Sequence, residues 1–293
     1  MATVNLLEYL HSRTQLDIDT YNAEGSSKEI GPFQDATGNQ FEIQAEIVKP
    51  NRSALVKKSL ALATTIHPQF ASITLEELAV EVVGIEFALE MIQTVRGNVH
   101  VMVNPSYSYN TEAMVANAQP TWEGLQAARQ LKRSGVKTLA TTLFSMEQAI
   151  LAGEAGCTSI SPFVHELKTE TYEGYKDSNP IFGVCMQAQQ FYRQNSMPTR
   201  VKACVTLNLD EIIMLAGIDA LTITPQVLKD LAATERPQEG GRDQYRIHFA
   251  ASEGGKAQFK TAQAIALFCD AQTAVELYIK SQLEESSYIP INL

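Results

Sequence analysis

Two short strand-like segments carry the polar side chains best suited to acid–base chemistry. The segment LDIDT is typical of a strand that ends at Asp19. The segment HVMVN alternates so that His100, Met102 and Asn104 share one face. Carboxylates and imidazoles are common proton donors and acceptors in enzymes, and an apolar pocket would raise the pKa of Asp19. These residues therefore predict proton transfer on a small molecule.

The elements that must position these residues alternate between strand and helix along the chain. Seven segments have strand character and most are separated by helical patterns, which predicts a parallel sheet with helices outside it. The chain has 293 residues and no glycine-rich dinucleotide fingerprint, so a (β/α) barrel is favoured over an open sheet. We expect one domain over residues 1–293, with a mobile Gly-rich loop at 234–256 and a long helix at 257–286.

The net charge and the distribution of apolar residues exclude some classes of binding partner. The net charge is −10 and the pI is about 5.1, which argues against nucleic acid and anionic membrane as partners. The sequence shows neither a signal-peptide pattern at its start nor an apolar run long enough to span a bilayer. We expect a cytoplasmic protein that binds a small molecule and uses no metal or other cofactor. A homodimer is compatible with the sequence.

The cysteines match no metal-binding spacing and lie in apolar surroundings. We therefore expect four buried, reduced thiols: Cys157, Cys185, Cys204 and Cys269.

The middle of the chain carries a family resemblance. TWEGLQAARQLKRSGVKTLATTLFSMEQAILAGEAGCTSISPFV resembles a continuous segment of transaldolases of the eukaryotic type. QDATGN, SYNTEAMVANAQ and LDEIIMLAGIDALTITPQVLKDL are similar to further segments, so the resemblance covers about residues 17–232 in order. It implies a (β/α)₈ barrel, in which a lysine on the fourth strand forms a Schiff base with a ketose phosphate.

One junction departs from that family pattern. TEAMVANAQ joins TWEG through Pro120, where the resemblance implies an additional segment of about twenty residues, most of one βα unit. That segment would hold the fourth strand and the Schiff-base lysine. We expect a transaldolase-like barrel in which the fourth strand is missing or distorted. Neither Lys202, expected to face outward, nor Lys137, at the N-terminal side of its strand, replaces that lysine.

Some polar positions of the family are retained. Asp19 matches the acid–base aspartate of the first strand, and Asn39 matches the asparagine of the second strand, although Gly38 replaces a threonine beside it. Thr141 and Ser161 match hydroxyl-bearing residues of the fifth and sixth strands. The resemblance thus implies that part of the proton-transfer machinery remains.

Other positions imply that sugar-phosphate binding has been lost. Met102 stands for a glutamate, Leu139 for an asparagine and Val205 for a serine. Glu166 and Leu207 stand where the family has its two phosphate-binding arginines, and an anion or an apolar side chain cannot hold a phosphate as a guanidinium does. We expect a substrate that is not a sugar phosphate.

The candidate site therefore combines retained and replaced positions. The expected catalytic residues are Asp19, His100 and Glu166. The expected substrate-binding residues are Asn39, Met102, Asn104, Leu139, Thr141, Ser161, Val205 and Leu207.

Three functions remain open from the sequence. The first is a repurposed barrel enzyme that uses acid–base groups and positioning for cyclisation, isomerisation or C–C bond chemistry, in biosynthesis or specialised metabolism. The second is a genuine transaldolase of the pentose phosphate pathway, rescued by another lysine. The third is a non-catalytic binding or scaffold barrel.

Overall fold

The computed structural model describes residues 3–23, 30–70, 72–108, 122–237 and 256–287, and the side chains of the last helix from 263 to 284. The strands alternate with helices as the sequence predicted. The strands are β1 (Thr3–Asn5), β2 (Gln15–Asp19), β3 (Ala36–Gly38), β4 (Val99–Val101), β5 (Leu139–Leu143), β6 (Ser159–Pro162), β7 (Arg200–Ala203), β8 (Ala220–Ile223) and β9 (Glu235–Pro237).

Helices surround this sheet. They are α1 (Leu6–His11), α2 (Gln40–Ile47), α3 (Ser53–Ile66), α4 (Leu75–Met91), α5 (Trp122–Arg133), α6 (Met146–Ala155), α7 (Lys168–Thr171), α8 (Phe182–Gln194), α9 (Leu209–Met214), α10 (Pro225–Ala233) and α11 (Lys256–Ser287). Short 3₁₀ turns occur at Pro50–Arg52, His67–Gln69 and Pro105–Tyr107. None of the described helices is long and apolar enough to cross a membrane.

Seven parallel strands form a nearly closed barrel in the order β4-β3-β2-β8-β7-β6-β5. This confirms the predicted TIM-type α/β fold. In the ranges that the structure describes, no strand bridges β4 and β5. The junction around Pro120, on which the prediction of a missing strand rests, lies outside the described residues.

The remaining two strands form a separate ribbon. β1 pairs with β9 in antiparallel register, with Val4 opposite Arg236. The sequence predicted a mobile loop from residue 234, so the part of it at Glu235–Pro237 is instead extended and paired; residues 238–255 lie outside the described ranges.

Local sequence signals explain where the long elements begin. Thr74 and Glu77 form a capping box at the start of α4: the Thr74 hydroxyl accepts from the Glu77 N–H, and the Glu77 carboxylate accepts from the Thr74 N–H at 2.8 Å. The glycine at position 38 is required for steric reasons, because a Cβ there would lie 2.2 Å from a ring carbon of Tyr21. The fully buried Tyr21 ring thus excludes the threonine that the family resemblance implies at this position.

An ion triad spans the barrel interior. The Nζ of Lys202, on β7, donates to Asp17 Oδ2 on β2 at 2.6 Å and also to Asp35 Oδ2, next to β3. All three side chains are buried. The expectation that Lys202 faces outward is therefore wrong: Lys202 and Cys204 face the interior, and Ala203 faces the helices.

Removing the ammonium alone should destabilise the barrel strongly. Lys202→Met leaves Asp17 and Asp35 as buried carboxylates without their cation, which we expect to lower the free energy of unfolding by about 3–5 kcal/mol. The measurement is urea unfolding at pH 7, with Lys229→Met on the exposed face of α10 as the control. Adding Asp17→Asn and Asp35→Asn to Lys202→Met should restore part of the loss. A Lys202→Met variant as stable as Lys229→Met would contradict the triad.

Candidate active site

A large cavity occupies the barrel from its N-terminal half to the carboxyl ends of the strands. Its volume is about 760 Å³, within the range of sites for small organic molecules. The wall mixes polar and apolar side chains, and Phe41, Phe163 and Phe268 close it near the C-terminal helix α11. In β/α barrels this end of the strands carries the chemistry, so the cavity is the candidate active site.

Three carboxyl groups face this cavity near its mouth. Asp19 ends β2, Glu42 lies in the first turn of α2, and Glu170 lies in the short helix α7. Asp19 Oδ1 accepts a hydrogen bond of 2.7 Å from Thr37 Oγ1 on β3. Interactions with the Tyr21 N–H and the Thr20 hydroxyl lower the pKa of Glu42 but do not outweigh its burial. Three separate elements thus bring three acids to one space.

The surroundings favour the protonated form of these acids. Burial raises the pKa of Asp19, against the opposing hydrogen bond from Thr37. Burial and the nearby charge of Asp19 raise the pKa of Glu42 to about 7. Desolvation and the charge of Asp19 also raise the pKa of Glu170 to about 7, against the opposing charge of His165, although Glu170 is an exposed residue on which desolvation acts less than on Glu42. Carboxyl groups that titrate near neutral pH are suited to general acid–base catalysis.

A second carboxylate environment lies deeper in the barrel, at the ion triad. His100 Nε2 lies 3.2 Å from Asp35 Oδ2, so the predicted catalytic imidazole is bound to the triad rather than to Asp19. Burial opposes ionisation of Asp35, but hydrogen bonds from His100 and Lys202 hold its pKa well below the ordinary value. The barrel therefore contains carboxyl groups with raised pKa values and one with a lowered pKa, as in enzymes that divide acid and base roles between two groups.

Backbone strain occurs on the cavity wall at Val205 and next to the wall at Thr142, which follows the lining residue Thr141. Thr142 and Val205 have φ values of 60° and 56°, in the left-handed region that β-branched residues rarely adopt. Thr142 coincides with a register shift in the pairing of β5 with β6, and Val205 directly follows Cys204 on the cavity wall. Such strain costs of order 1–3 kcal/mol and is concentrated at functional sites. It is consistent with an active site here.

Most of the predicted site residues line the cavity. They are Asp19, Asn39, His100, Met102, Leu139, Thr141, Ser161 and Val205. Two of them also have structural contacts: Asn39 caps α2 by accepting from the Phe41 N–H at 2.9 Å, and Ser161 Oγ lies 3.2 Å from Cys204 Sγ. Their catalytic and binding roles stay predictions.

Three predicted site residues lie off the cavity wall. Asn104 is buried and donates to Glu77 at 3.1 Å, because the chain turns into a 3₁₀ helix directly after it. Glu166 accepts from the Tyr175 hydroxyl at 2.5 Å, on the loop after β6. Leu207 is 47% exposed. The expectation that these three contact a substrate in the barrel is not met by their positions.

An acidic network occupies the loops where the family resemblance placed two arginines. His165 Nε2 lies 3.1 Å from Glu211 Oε2, and its Nδ1 lies 3.8 Å from Asp177 Oδ2. The same Glu211 oxygen accepts from the Leu207 N–H at 2.7 Å. Burial opposes it, but the bonds from His165 and the Leu207 N–H lower the pKa of Glu211. Carboxylates around His165 therefore link the loops after β6 and β7.

Sequence reasoning missed Glu42 and Glu170. Both lie on helices that follow strands, where an acidic residue is ordinary, and the first-turn position of Glu42 is one that helices favour for acids. All four cysteines are free, and Cys269 is half-buried rather than buried as expected. Among the described residues, no three His, Cys, Asp or Glu side chains are arranged to hold a metal ion.

Comparison with known proteins identifies the family. The family model of transaldolase and fructose-6-phosphate aldolase matches residues 16–279. The chain belongs to this family. It is 32% identical over 257 residues to a transaldolase from Prochlorococcus marinus (strain MIT 9301), covering 78% of this chain and 76% of that protein.

Two further relatives give the same result. A transaldolase from Synechocystis sp. is 33% identical over 261 residues, covering 79% of this chain and 66% of that protein. A transaldolase from Methylococcus capsulatus is 30% identical over 261 residues, covering 79% and 78%. The alignment with the first of these relatives has 257 positions, which is more than the number of residues in 78% of this chain. Some of its positions are therefore gaps, as expected where a relative has residues that this chain lacks.

The raised pKa values predict that stability depends on pH through Glu42. A carboxyl group whose folded pKa is raised contributes stability below its unfolded pKa, and that contribution is lost as pH rises through about 7. Glu42→Gln removes the loss, so we expect its Tm to exceed that of the wild type by several degrees at pH 8.5 and by little at pH 5. Thermal unfolding at both pH values is the measurement. The exposed Glu173→Gln serves as the control, and equal behaviour of the two variants would refute the raised pKa.

Proposed function

We propose that this member of the transaldolase family is an enzyme that transfers protons on a small organic substrate without forming the family's strand-four imine and without binding a phosphate group. The observation that carries the proposal is the convergence of Asp19, Glu42 and Glu170 on one cavity, with two of these carboxyl groups titrating near pH 7. The reactions that fit are cyclisation, isomerisation and C–C bond chemistry driven by proton transfer, as in biosynthetic lyases, isomerases and cyclases.

The sequence around the junction supports the loss of imine chemistry at the family's position. No lysine occurs anywhere from Val101 to Leu131, which covers all residues between β4 and the last turn of α5. Lys202 is the buried lysine of the described barrel interior, and two carboxylates bind its ammonium group. An ammonium held by two carboxylates would have to give up a proton and leave both partners before its nitrogen could attack a carbonyl group.

The charge distribution supports a substrate without phosphate. The described lysines and arginines on the cavity wall are Lys137 and Arg200, at the N-terminal ends of β5 and β7, and Lys202, whose ammonium group contacts Asp17 and Asp35. The mouth instead carries Asp19, Glu42 and Glu170, and the acidic network around His165 lies beyond it. A phosphate at the mouth would face carboxyl groups instead of guanidinium groups, which is electrostatically unfavourable.

We assign different tasks to the three acids. Asp19 is held in place by Thr37 and lies at the strand end, so it is positioned to accept or donate a proton at the reacting centre. Glu42 and Glu170 interact with Asp19, so the three groups titrate as a coupled set, and protonation of one favours ionisation of another. Such a set can supply an acid and a base at the same pH.

Transaldolase turnover should be absent. Family membership makes a genuine transaldolase the main alternative, and it would need an amine that attacks the ketose and a cationic site for each phosphate. We expect no turnover of fructose 6-phosphate with erythrose 4-phosphate above a no-enzyme control in a coupled assay. The transaldolase of Synechocystis sp. serves as the positive control. Clear turnover by the chain would overturn the proposal in favour of that alternative.

Asp19→Asn should separate an enzyme from a binding or scaffold barrel. The substitution is nearly isosteric, so we expect the fold to persist while the rate on the native substrate falls by roughly 10²–10⁴-fold. Melting temperature and rate are measured together, with Asp230→Asn on the surface of α10 as the matched control. A folded Asp19→Asn variant with an unchanged rate would remove Asp19 from the mechanism.

A further inference from the structure

The deep half of the cavity contains polar groups that have no use in the proton transfer just described. Ser159 on β6 and Thr222 on β8 line the cavity and are 1% and 9% exposed. Their hydroxyl oxygens have no hydrogen-bond partner among the described residues. Buried hydroxyl groups are normally satisfied, so two in one cavity indicate a ligand or ordered water there.

The orientation of both hydroxyls follows from strand alternation. Ser159 shares the inward face of β6 with Ser161, which contacts Cys204 on the cavity wall. Thr222, on β8, lines the cavity wall. It is also paired in register with Asp17, whose carboxylate binds Lys202 inside the barrel. Both hydroxyls therefore face the interior that the ion triad crosses.

The ion triad leaves a donor available at the same depth. A lysine ammonium has three N–H groups, and in the described part of the chain Asp17 and Asp35 account for two of them. One ammonium between two carboxylates carries no excess positive charge, so an anion would gain little there. A neutral hydroxyl can accept from Lys202 and also exchange hydrogen bonds with Ser159 and Thr222.

We propose that this deep subsite, formed by Ser159, Thr222 and Lys202, binds an uncharged, hydroxyl-bearing end of the substrate. The inference rests on the proposed function and names the substrate class: a neutral polyhydroxylated molecule. Its polar end enters the barrel towards the ion triad, and its reacting end stays beside Asp19 at the mouth. The subsite positions the substrate and takes no part in the proton transfer.

The free protein gives the first test. Because the two hydroxyls lack hydrogen-bond partners in the described part of the chain, Ser159→Ala and Thr222→Val should leave Tm unchanged or raise it. The matched control is Thr199→Val, since the buried Thr199 hydroxyl donates to the Cys157 carbonyl at 2.8 Å; this variant should lower Tm by about 2–4 °C. If Ser159→Ala and Thr222→Val lower Tm as much as Thr199→Val does, both hydroxyls have partners and the subsite is wrong.

Binding gives the decisive test and is independent of turnover. Erythritol is the probe, with 1,4-butanediol and glycerol 3-phosphate as comparators that lack the inner hydroxyls or carry a charge. Calorimetry or ligand-observed NMR should show that erythritol binds more tightly than both comparators. Ser159→Ala and Thr222→Val should each weaken erythritol binding by about 3- to 10-fold, and Thr199→Val should not.

The two proposals can fail separately. Absence of erythritol binding, tighter binding of glycerol 3-phosphate, or binding that both hydroxyl variants leave unchanged would overturn the subsite. None of these results depends on Asp19, whose variant tests the proposed function through the rate.

Discussion

The buried ammonium of Lys202 is the interaction on which the barrel interior depends. It connects β7 to β2 and to the start of β3, and it compensates two carboxylates that could not remain ionised alone in the interior. This contact also fixes which side chains of those strands point inward, because alternation then directs Asp19, Thr37 and Cys204 to the cavity. Replacing all three charged residues of the triad by apolar ones of similar volume is often neutral for stability in proteins. The contribution specific to the triad is therefore the polar character that it gives to the deep cavity.

Two depths of the cavity have opposite electrostatic character as a consequence. At the triad, hydrogen bonds from Lys202 and His100 keep Asp35 ionised. At the mouth, no lysine or arginine among the described cavity-lining residues lies beside the acids. Desolvation and the charge of Asp19 raise the pKa of Glu42 and of Glu170 to about 7, for Glu170 against the opposing charge of His165. A fixed polar end and a mouth that exchanges protons are what an enzyme needs in order to orient a neutral substrate and then protonate or deprotonate it. The family's fold is kept.

The sequence predicted the fold better than the site. The physical reason is that the fold depends on the periodicity of apolar side chains along each strand and helix, which can be read locally, whereas the site depends on tertiary contacts. All seven parallel strands have local alternation or apolar character, so their order followed from the chain. The inward face of β7 did not, because assigning it by family register placed Ala203 inside where the ion pair requires Lys202. Asn104 and Leu207 follow strand ends, where the chain turns and alternation no longer applies. Glu42 and Glu170 reach the cavity from helices, a tertiary arrangement without a signature in local sequence.

The central claim is that the mouth of the barrel holds carboxyl groups that titrate near neutrality. The most direct measurement is a pH titration of the side-chain carboxyl ¹³C shifts by NMR, with glutamate labelling and assignment through Glu42→Gln and Glu170→Gln. The account predicts that both carboxyl groups titrate with apparent pKa values of about 7. Titration of both groups near 4.5, the ordinary value for glutamate, would contradict it.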